Sequence, residues 1–436
     1  MNFFGTDGIR GTYGSTLTDG TAFLLGKSLA LLGEECPIVL ICRDTRISGE
    51  TLFNALAQGV YDGGGNVINL GILPTNAVGH FVRKMGGDYG VMITASHNPP
   101  QDNGLKVFDR YGVKLCPSKQ EVVSRMMSGL CQNPEIKGKI FEPVFYDIEN
   151  IYCDDVLSAV DVDLSNVKIA LDCCYGAGYK VGRMLFSRAK ANVTVFCNRN
   201  NGKLINQNCG ATNTSFLLEK MKQGDYSLGF ALDGDADRLA VVENNVVVPN
   251  SKVFFAMARY LSEKGRLRNN TVCGTVLTNG GVESALNGLG IRLLRSDVGD
   301  TNVFNTMVKE GLNFGGEQSG HYLLCDYATS SDALINALFL CKIYREKGSL
   351  LQYASPCVEI TSVSKNIPLT ESNIALCDGD RLQNTAGRVS QLYPGCRLVL
   401  RKSGTENVVR AYAEGAQAQK AVDCVAATFS QNVNRL

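Results

Sequence analysis

Residues 37–94 read PIVLICRDTRISGETLFNALAQGVYDGGGNVINLGILPTNAVGHFVRKMGGDYGVMIT. Apolar runs of strand length alternate there with segments of helical composition. Strands are predicted at Pro37–Cys42, Asn66–Leu70 and Tyr89–Thr94, and helices at 48–61 and 74–84. Because strands joined by helical crossovers run in the same direction, this alternation predicts a mostly parallel sheet.

The same alternation returns twice along the chain, and the C-terminal part differs. The second round comprises strands at 167–172, 193–197 and 227–232, with helices at 177–189 and 213–222. The third comprises a helix from Ser251, strands at 271–277 and 291–294, and helices at 281–288, 301–310 and 331–346. The tail has strands near 358–364, 396–401 and 408–414 and an amphipathic helix over 417–429. The pattern predicts three similar α/β units and a smaller α+β unit, with a boundary within residues 130–143.

The composition is that of a globular protein without a strong net charge. Apolar residues make up 44% of the 436-residue chain, and Lys plus Arg number 43 against 42 for Asp plus Glu. Without a basic field, we expect neither nucleic acid nor a membrane surface as a partner. The most apolar early segment, Leu24–Cys42, is interrupted by charges and a proline, and no secretory signal is visible. We therefore expect a cytoplasmic protein.

Cysteine and histidine content argues against a disulfide scaffold and against zinc catalysis. The sixteen cysteines include no CxxC pair, so we expect reduced thiols in the cytosol. A three-histidine zinc site would require every histidine of the chain, namely His80, His97 and His321.

Ser96 lies in the segment Thr94–Lys106 (TASHNPPQDNGLK), directly after a predicted strand. A serine on a loop at the carboxyl end of a sheet strand is where α/β proteins usually place their chemistry. An N-cap or a plain turn is also compatible with these residues. A Ser-His-Asp hydrolase is disfavoured, because there is no G-x-S-x-G elbow and His97 is adjacent to the serine in sequence.

Asp233, Asp235 and Asp237 alternate along the segment DGDADR, which follows the strand SLGFAL. Carboxylates at this spacing project to one side of an extended segment, where they can bind a hard divalent cation. An EF-hand is excluded, because no helix leads in and the twelfth position is Asn244 instead of Glu. Waters and a phosphate oxygen would complete the octahedral shell of Mg²⁺, so the segment predicts a magnesium site.

Two later loops are rich in polar groups. The segment Gly315–His321 (GGEQSGH) places Glu317, Ser319 and His321 on a glycine-bracketed loop, which suits the hydroxyls of a sugar. A second segment, Arg401–Arg410 (RKSGTENVVR), joins two predicted strands. We expect an anion-binding nest there, formed by Arg401, Lys402, Ser403, the Gly404 amide, Thr405 and Arg410. Each loop taken alone could also be a solvated surface loop.

A glycine pattern leaves nucleotide binding open as a second class of function. Gly176, Gly178 and Gly182 form GxGxxxG after the strand at 167–172, and Arg199 follows the next strand, where it could receive a 2′-phosphate. The signal is weak, since tight strand-to-helix turns need glycine anyway. An NADP-dependent oxidoreductase is the corresponding alternative.

Taken together, a serine, a divalent cation, a hydroxyl reader and a phosphate clamp describe phosphoryl transfer on a phosphorylated sugar or polyol. The motifs that carry these groups also resemble a known family. The segments FGTDGIRG (4–11), TASHNP, DGDADR, GGEQSGH and RKSGTE have the order and spacing of the α-D-phosphohexomutase superfamily. Within it, the chain is most similar to the bacterial phosphoglucosamine mutases.

The resemblance covers the whole chain and implies a domain organisation. It implies three α/β domains with mixed sheets and a smaller C-terminal α+β domain around a central cleft. The expected boundaries are 1–147 for the phosphoserine domain, 148–250 for the metal domain, 251–362 for the sugar-reading domain and 363–436 for the phosphate-binding domain.

The resemblance also implies a role for each matching residue. Ser96 would carry the phosphoryl group and ligate Mg²⁺ together with Asp233, Asp235 and Asp237. Lys106, as general base or charge stabiliser, would act beside the phosphoserine with Arg10 and His97. The substrate-binding residues would be Arg238, Glu317, Ser319, His321, Arg401, Ser403, Gly404, Thr405 and Arg410.

The implied reaction interconverts glucosamine 6-phosphate and glucosamine 1-phosphate through a 1,6-bisphosphate and feeds UDP-N-acetylglucosamine synthesis. It requires one Mg²⁺ per active site and leaves a homodimer open. A phosphomannomutase or phosphoglucomutase with the same mechanism is the alternative, because Ala236 and Thr301 stand where glycine and arginine are usual among phosphoglucosamine mutases. A non-catalytic sugar-phosphate-binding protein is disfavoured, because the serine and all three aspartates are present.

Overall fold

The structure, a computed structural model, describes residues 3–5, 7–33, 35–130, 147–378, 380–403 and 407–430. These residues form four sheets that follow one another along the chain. Within the described residues, no helix is both long enough and apolar enough to cross a lipid bilayer.

The first unit is a five-stranded mixed sheet flanked by helices. Its strands are β1 (Ile9–Thr12), β2 (Ile38–Arg43), β3 (Asn66–Ile72), β4 (Tyr89–Ile93) and β5 (Asp102–Asp109). Its helices are α1 (Asp19–Leu32), α2 (Gly49–Asp62), α3 (Thr75–Met85) and α4 (Pro117–Gly129). The strand order is β1-β5-β4-β2-β3, in which β3, β2 and β4 are parallel and β5 runs antiparallel to both of its neighbours, β4 and β1. Helices on the crossovers cover the sheet, which is why β2 reads as a continuous apolar run.

The second unit repeats this arrangement. Its helices are α5 (Ile148–Val160), α6 (Val181–Arg188) and α7 (Ser215–Gln223). Its strands are β6 (Lys168–Asp172), β7 (Asn192–Phe196), β8 (Leu228–Leu232), β9 (Leu239–Glu243) and β10 (Val246–Val248). They pair in the order β10-β9-β8-β6-β7, in which β7, β6 and β8 are parallel and β9 runs antiparallel to both of its neighbours, β8 and β10.

The third unit has a four-stranded sheet. Its helices are α8 (Asn250–Glu263), α9 (Gly280–Asn287), α10 (Asp300–Lys309), α11 (Ala333–Lys347) and α12 (Leu350–Tyr353). Its strands are β11 (Thr271–Thr275), β12 (Arg292–Ser296), β13 (Phe314–Gly316) and β14 (Tyr322–Leu324). The order is β12-β11-β13-β14, and β14 alone is antiparallel within this sheet.

The fourth unit is smaller and entirely antiparallel. Strands β15 (Ser362–Pro368), β16 (Arg397–Lys402) and β17 (Val408–Glu414) pair in the order β15-β17-β16. Helices α13 (Arg381–Leu392) and α14 (Ala418–Ser430) pack on the sheet around Val389, Val409 and Val422. The chain therefore has three α/β units with mixed sheets and a smaller α+β unit, which confirms the fold class predicted from the sequence.

One four-strand arrangement recurs in the first three units. Strand sets β2–β5, β6–β9 and β11–β14 each have the order second, first, third, fourth, and the fourth strand is antiparallel. The loop between the third and fourth strands is therefore equivalent in all three units. It carries Ser96 in the first, the aspartates in the second and Glu317 in the third.

Most predicted elements lie within a few residues of those observed, with three corrections. The helix predicted over 177–189 is a short 3₁₀ turn, Ala177–Tyr179, followed by α6. The strand predicted near 358–364 begins at Ser362. Strand β5, which begins at Asp102 within the segment that carries Ser96, was not predicted. The boundary predicted within 130–143 lies outside the described residues except for Leu130, and the domain limits at 147, 250 and 362 stay predictions.

Candidate active site

Ser96 follows β4 and is held in an unusual backbone conformation. Its φ is 52°, in the left-handed region that few non-glycine residues adopt, and only 1% of its surface is exposed. The conformation is fixed from outside, since the Ser96 carbonyl accepts hydrogen bonds from Arg46 Nη2 at 2.9 Å and Asn206 Nδ2 at 2.8 Å. The Ser96 hydroxyl donates to Asp233 Oδ2 at 2.6 Å. The serine loop and the aspartate loop therefore meet at this hydroxyl.

The aspartates reach one another through a turn. Asp233 accepts a backbone hydrogen bond from Ala236, and Ala236 has a left-handed φ of 54°. The prediction that the side chains converge is confirmed, because ligand oxygens of Asp233, Asp235 and Asp237 lie within 4.8 Å of one another. The predicted extended geometry is wrong, since the chain turns at Ala236. Glycine adopts a left-handed φ most readily, so this conformation is unusual for the alanine at position 236.

Lys106 supplies the positive charge inside this cluster. Its ammonium lies 2.8 Å from Asp235 Oδ2, 3.0 Å from Asp237 Oδ2 and 3.1 Å from Asp7 Oδ2, with 1% of the side chain exposed. Burial opposes the charge, but the carboxylates raise the pKa of Lys106 well above its usual value. The arrangement in this structure therefore favours a charge stabiliser over a general base.

The residues present fit a hard divalent cation. Asp235 Oδ1 is buried and has no hydrogen-bond partner among the described residues, although its other oxygen accepts from Thr75 at 2.5 Å and from Lys106. Burial and the two neighbouring carboxylates raise the pKa of Asp233 to about 7. An all-oxygen donor set with an unsatisfied carboxylate oxygen suits Mg²⁺.

Basic side chains surround the serine hydroxyl. Arg10 pairs with Asp7 at 2.6 Å, and its buried Nε has no hydrogen-bond partner in the described part of the chain. Arg238 Nε is likewise buried and without such a partner there, and it lies 3.9 Å from Asp233. Burial and the charges of these two arginines lower the pKa of His97 to about 4, so its imidazole is neutral at pH 7. His97 Nδ1 lies 3.4 Å from the Ser96 hydroxyl.

The loop of the third unit contacts the aspartate loop through His321. His321 Nε2 lies 2.9 Å from Asp237 Oδ1, and its Nδ1 lies 3.0 Å from the Ser319 hydroxyl and 3.5 Å from Glu317. Burial opposes its protonation, but Asp237 raises the pKa of His321 to about 10. Glu317 also accepts a hydrogen bond from the Gly299 amide at 2.8 Å.

The hairpin β16–β17 brings two arginines together. Arg401 and Arg410 are cross-strand partners, and Arg401 Nε is buried with no hydrogen-bond partner among the described residues. Burial and the charge of Arg410 lower the pKa of Arg401, while the charge of Glu317 partly offsets them. Arg401 therefore lies near enough to Glu317, on the loop of the third unit, for their charges to interact.

The remaining hairpin residues have different positions. Ser403 is buried and directly follows β16, while Gly404 and Thr405 lie outside the described residues. Lys402, expected in the same nest as Arg401, is exposed, and its cross-strand partner is the core residue Val409. Since neighbouring residues on a strand point to opposite faces, Lys402 lies on the helix-covered face, away from Arg401.

The space beside the glycines of the 176–182 pattern is filled by the protein's own atoms. A Cβ on Gly176 would lie 2.4 Å from the Gly234 carbonyl oxygen, and one on Gly178 would lie 2.5 Å from the Leu232 side chain. The Ala177 amide donates to the same Gly234 carbonyl. These glycines allow close packing beneath the aspartate loop, which removes the reason to expect a dinucleotide there.

Sequence reasoning missed the residues that hold these loops in place. Arg46 is 1% exposed, pairs with Asp44 at 3.0 Å and donates to the carbonyls of Ser96, Pro99, Asn98 and Asp102. Lys114 bridges Asp7 and Asp300 at 2.6 Å each, which joins the first and third units. The segment RDTR (43–46) after strand β2 was the available signal, because it combines charges at the carboxyl end of a strand.

Comparison with known proteins gives the family. The family models of the phosphoglucomutase/phosphomannomutase domains match in order along the chain: alpha/beta/alpha domain I over 1–130, domain II over 150–246, domain III over 249–359 and the C-terminal domain over 365–431. A protein of Thermotoga neapolitana named phosphoglucosamine mutase is 42% identical over 419 residues, covering 95% of each chain.

Solved structures share the fold at lower identity. A phosphoglucomutase/phosphomannomutase family protein from Burkholderia thailandensis is similar at a TM-score of 0.82 and 21% identity, covering 99% of this chain and 98% of that one. The N-acetylphosphoglucosamine mutase of Aspergillus fumigatus, solved with GlcNAc-6P and magnesium, is similar at 0.61 and 18%, covering 82% and 91%. The resemblance seen in the sequence is confirmed: this chain is an enzyme of the phosphoglucomutase/phosphomannomutase family.

Proposed function

We propose that this enzyme interconverts glucosamine 6-phosphate and glucosamine 1-phosphate, with Ser96 as the phosphoryl carrier and a hexosamine 1,6-bisphosphate as the intermediate. The observation that carries the proposal is the 2.6 Å hydrogen bond between the Ser96 hydroxyl and Asp233. It places a nucleophile against a three-carboxylate loop in a site from which water is largely excluded. The choice of glucosamine rests on the names of relatives such as the Thermotoga protein.

The aspartate loop would hold the metal. Asp233, Asp235 and Asp237 would bind Mg²⁺ together with an oxygen of the Ser96 phosphate, and the ion would withdraw charge from the phosphoryl oxygens. Lys106, which stays protonated beside these carboxylates, adds a second positive charge at the same place. Arg10 and Arg238 have buried Nε donors without partners among the described residues, so both can donate to phosphate oxygens.

Proton transfer belongs to the groups next to the serine. Attack of the Ser96 oxygen on the phosphorus of a sugar phosphate forms the new O–P bond as the sugar oxygen leaves, and it requires the serine hydroxyl to lose its proton; Asp233 accepts the hydrogen bond of that proton. His97 is neutral at pH 7 and lies 3.4 Å from the same oxygen, so it can accept a proton from the serine or from a sugar hydroxyl. Both groups sit on loops fixed by buried side chains.

Substrate orientation belongs to the outer loops. The Glu317 carboxylate would accept hydrogen bonds from sugar hydroxyls, and the Ser319 hydroxyl would donate to them. His321 lies between these residues and Asp237. Arg401, Ser403, Gly404, Thr405 and Arg410 would bind the phosphate that is not reacting. Because the bisphosphate must present either end to Ser96, the same distal clamp serves both half-reactions.

The proposal is tested with one variant and one substrate comparison. Ser96→Ala should bind sugar phosphate but fail to turn it over. After incubation with bisphosphate, the intact mass should show one phosphoryl group on the unaltered enzyme and none on Ser96→Ala. Ser372→Ala removes an exposed hydroxyl in the fourth unit and should leave both readouts unchanged.

The substrate comparison measures kcat/KM for the 1-phosphates of glucosamine, N-acetylglucosamine, glucose and mannose side by side. The glucosamine compound should be favoured. A kcat/KM at least tenfold higher for glucose or mannose would assign the enzyme to the phosphoglucomutase/phosphomannomutase activities instead. Near-normal turnover by Ser96→Ala would refute the covalent carrier itself.

A further inference from the structure

A second cluster of possible metal ligands lies in the second unit, at the carboxyl edge of its sheet. Asp172 ends β6, and Cys197 directly follows β7, whose last residue pairs with Asp172 in the parallel register. Cys209 returns to this edge from the loop before α7. The cluster could not be predicted from a local motif, since its members are separated by 25 and 12 positions along the chain.

The geometry is that of a three-ligand site. A carboxylate oxygen of Asp172 and the sulfurs of Cys197 and Cys209 all lie within 4.8 Å of one another. Asp172 and Cys209 are at most 2% exposed, whereas Cys197 is partly exposed and gives access from solvent. Both thiols are free. Ligands at this separation can coordinate one ion, because thiolate and carboxylate bonds to zinc are about 2.3 and 2.0–2.2 Å long.

Asp172 has no cationic partner in the described part of the chain. Its two oxygens accept backbone hydrogen bonds from Cys174 at 2.9 Å and Gly210 at 2.7 Å, and no lysine or arginine forms an ion pair with it there. A fully buried carboxylate without a counter-charge is costly. A cation bound among these ligands would lie directly against the carboxylate as its electrostatic partner, while the two thiolates formed on binding keep the formal charge of the cluster at −1.

We propose that Asp172, Cys197 and Cys209 bind a thiophilic divalent cation, of which Zn²⁺ is the type, at a site separate from the Mg²⁺ loop. Each thiol loses its proton to solvent when its sulfur coordinates the ion, so two protons leave for each divalent cation bound. The formal charge of the cluster is therefore the same before and after binding. A water molecule completes the tetrahedral shell.

The bound ion would brace the loop that supports the phosphoserine. Three residues before Cys209, Asn206 donates to the Ser96 carbonyl at 2.8 Å and to the Asn98 carbonyl at 3.1 Å. The Asn206 amide in turn donates to the Cys174 carbonyl, two residues after Asp172. Coordination at Cys209 thus fixes the segment that holds the catalytic loop.

Cobalt tests the proposal in the full-length enzyme, because thiolate ligation gives Co²⁺ a charge-transfer absorption band that oxygen ligands do not give. The protein is reduced, stripped of metal with a chelator and titrated anaerobically with Co²⁺. We expect a band that saturates at about one equivalent per chain. Cys197→Ser and Cys209→Ser should abolish it, and Asp172→Asn should weaken Co²⁺ binding.

Two variants serve as matched controls. Cys36→Ser removes an exposed thiol from the first unit and should leave the band intact. Asp235→Asn impairs the magnesium loop and should also leave it intact, which separates this proposal from the proposed mutase function. In the unaltered enzyme, Zn²⁺ should slow alkylation of Cys197 without slowing that of Cys36, a readout that does not depend on how the variants fold.

Three results would overturn the proposal: no charge-transfer band in the reduced enzyme, a band that persists when both thiols are replaced, or equal alkylation of Cys197 with and without Zn²⁺. Isolation of the protein with a Cys197–Cys209 disulfide, together with no metal uptake after reduction, would instead assign the pair a redox role.

Discussion

Replacing Arg401 should have opposite effects on catalysis and on stability. In the structure, Arg401 faces Arg410 across β16 and β17, and the charge of Arg410 contributes to lowering the pKa of Arg401. Like charges directly opposite on a sheet are destabilising, by roughly 0.2–1 kcal/mol for such a pair. The buried Nε of Arg401 also lacks a hydrogen-bond partner in the described part of the chain. A bound phosphate would relieve both features at once.

The expected magnitudes follow from this geometry. Arg401→Gln removes one charge-assisted hydrogen bond to phosphate, which is about 1.5–3 kcal/mol. That corresponds to a loss of roughly 10- to 150-fold in kcat/KM, with either the 1-phosphate or the 6-phosphate as substrate. The free enzyme should be no less stable, and its free energy of unfolding should rise by up to about 1 kcal/mol.

Steady-state kinetics in both directions and denaturant unfolding of the free enzyme measure these effects. Lys402→Met is the matched control, because it removes a neighbouring charge on the opposite face of the same strand. Phosphoryl transfer to Ser96 from a small donor without a second phosphate should be nearly unaffected in Arg401→Gln. The distal-clamp reasoning fails if only one direction is impaired, if the small donor suffers equally, or if Lys402→Met matches the loss.

Two further predictions concern buried charges. Lys106→Met removes the ammonium that Asp235 shares with Asp237 and should lower the free energy of unfolding by about 3–5 kcal/mol. Mg²⁺ should restore part of this loss in denaturant titrations, whereas an equal loss with and without Mg²⁺ would contradict it. Glu414 pairs with Arg397 at 2.5 Å within the fourth unit and accepts a hydrogen bond from the Gly280 amide of the third unit, and these contacts lower its pKa despite burial. The stabilisation from the ionised Glu414 is therefore fully present above its ordinary pKa of 4.5 and is lost as the pH falls through its lowered pKa in the folded protein. Glu414→Gln should make the free energy of unfolding depend less steeply on pH in this acidic range. An unchanged pH dependence would count against this linkage.

The regular elements that could be predicted are those with a strong local pattern. Buried runs such as the one at 38–43 identify β2, β6 and β8 within a residue or two, because strands covered on both faces are apolar throughout. Strand β5 was missed since DNGLKVFD begins with turn-forming residues. Pairing with β1 on one side and β4 on the other outweighs that local preference.

For the site, sequence motifs indicated the reacting groups but could not indicate their supports. Ser96 and the aspartates stand in compact motifs, and the structure brings them into hydrogen-bond contact. Arg46 donates hydrogen bonds to backbone carbonyl oxygens within residues 96–102, and only the tertiary structure brings these groups together. The turn at Ala236 was missed for a similar reason, because alanine gives no sign of the left-handed conformation it adopts.

Burial divides the site into two parts with different demands. Ser96 and the three aspartates are at most 2% exposed, and their loops are fixed by buried hydrogen bonds, so the reacting phosphoryl group would meet the same charges in either half-reaction. Glu317, Arg401 and Arg410 are only partly buried, and they lie on the third and fourth units. A bisphosphate that reverses its orientation keeps a phosphate at each end but changes the sugar atoms between them. The buried part therefore suits chemistry that must stay constant, while the more open part suits a substrate that binds in two orientations.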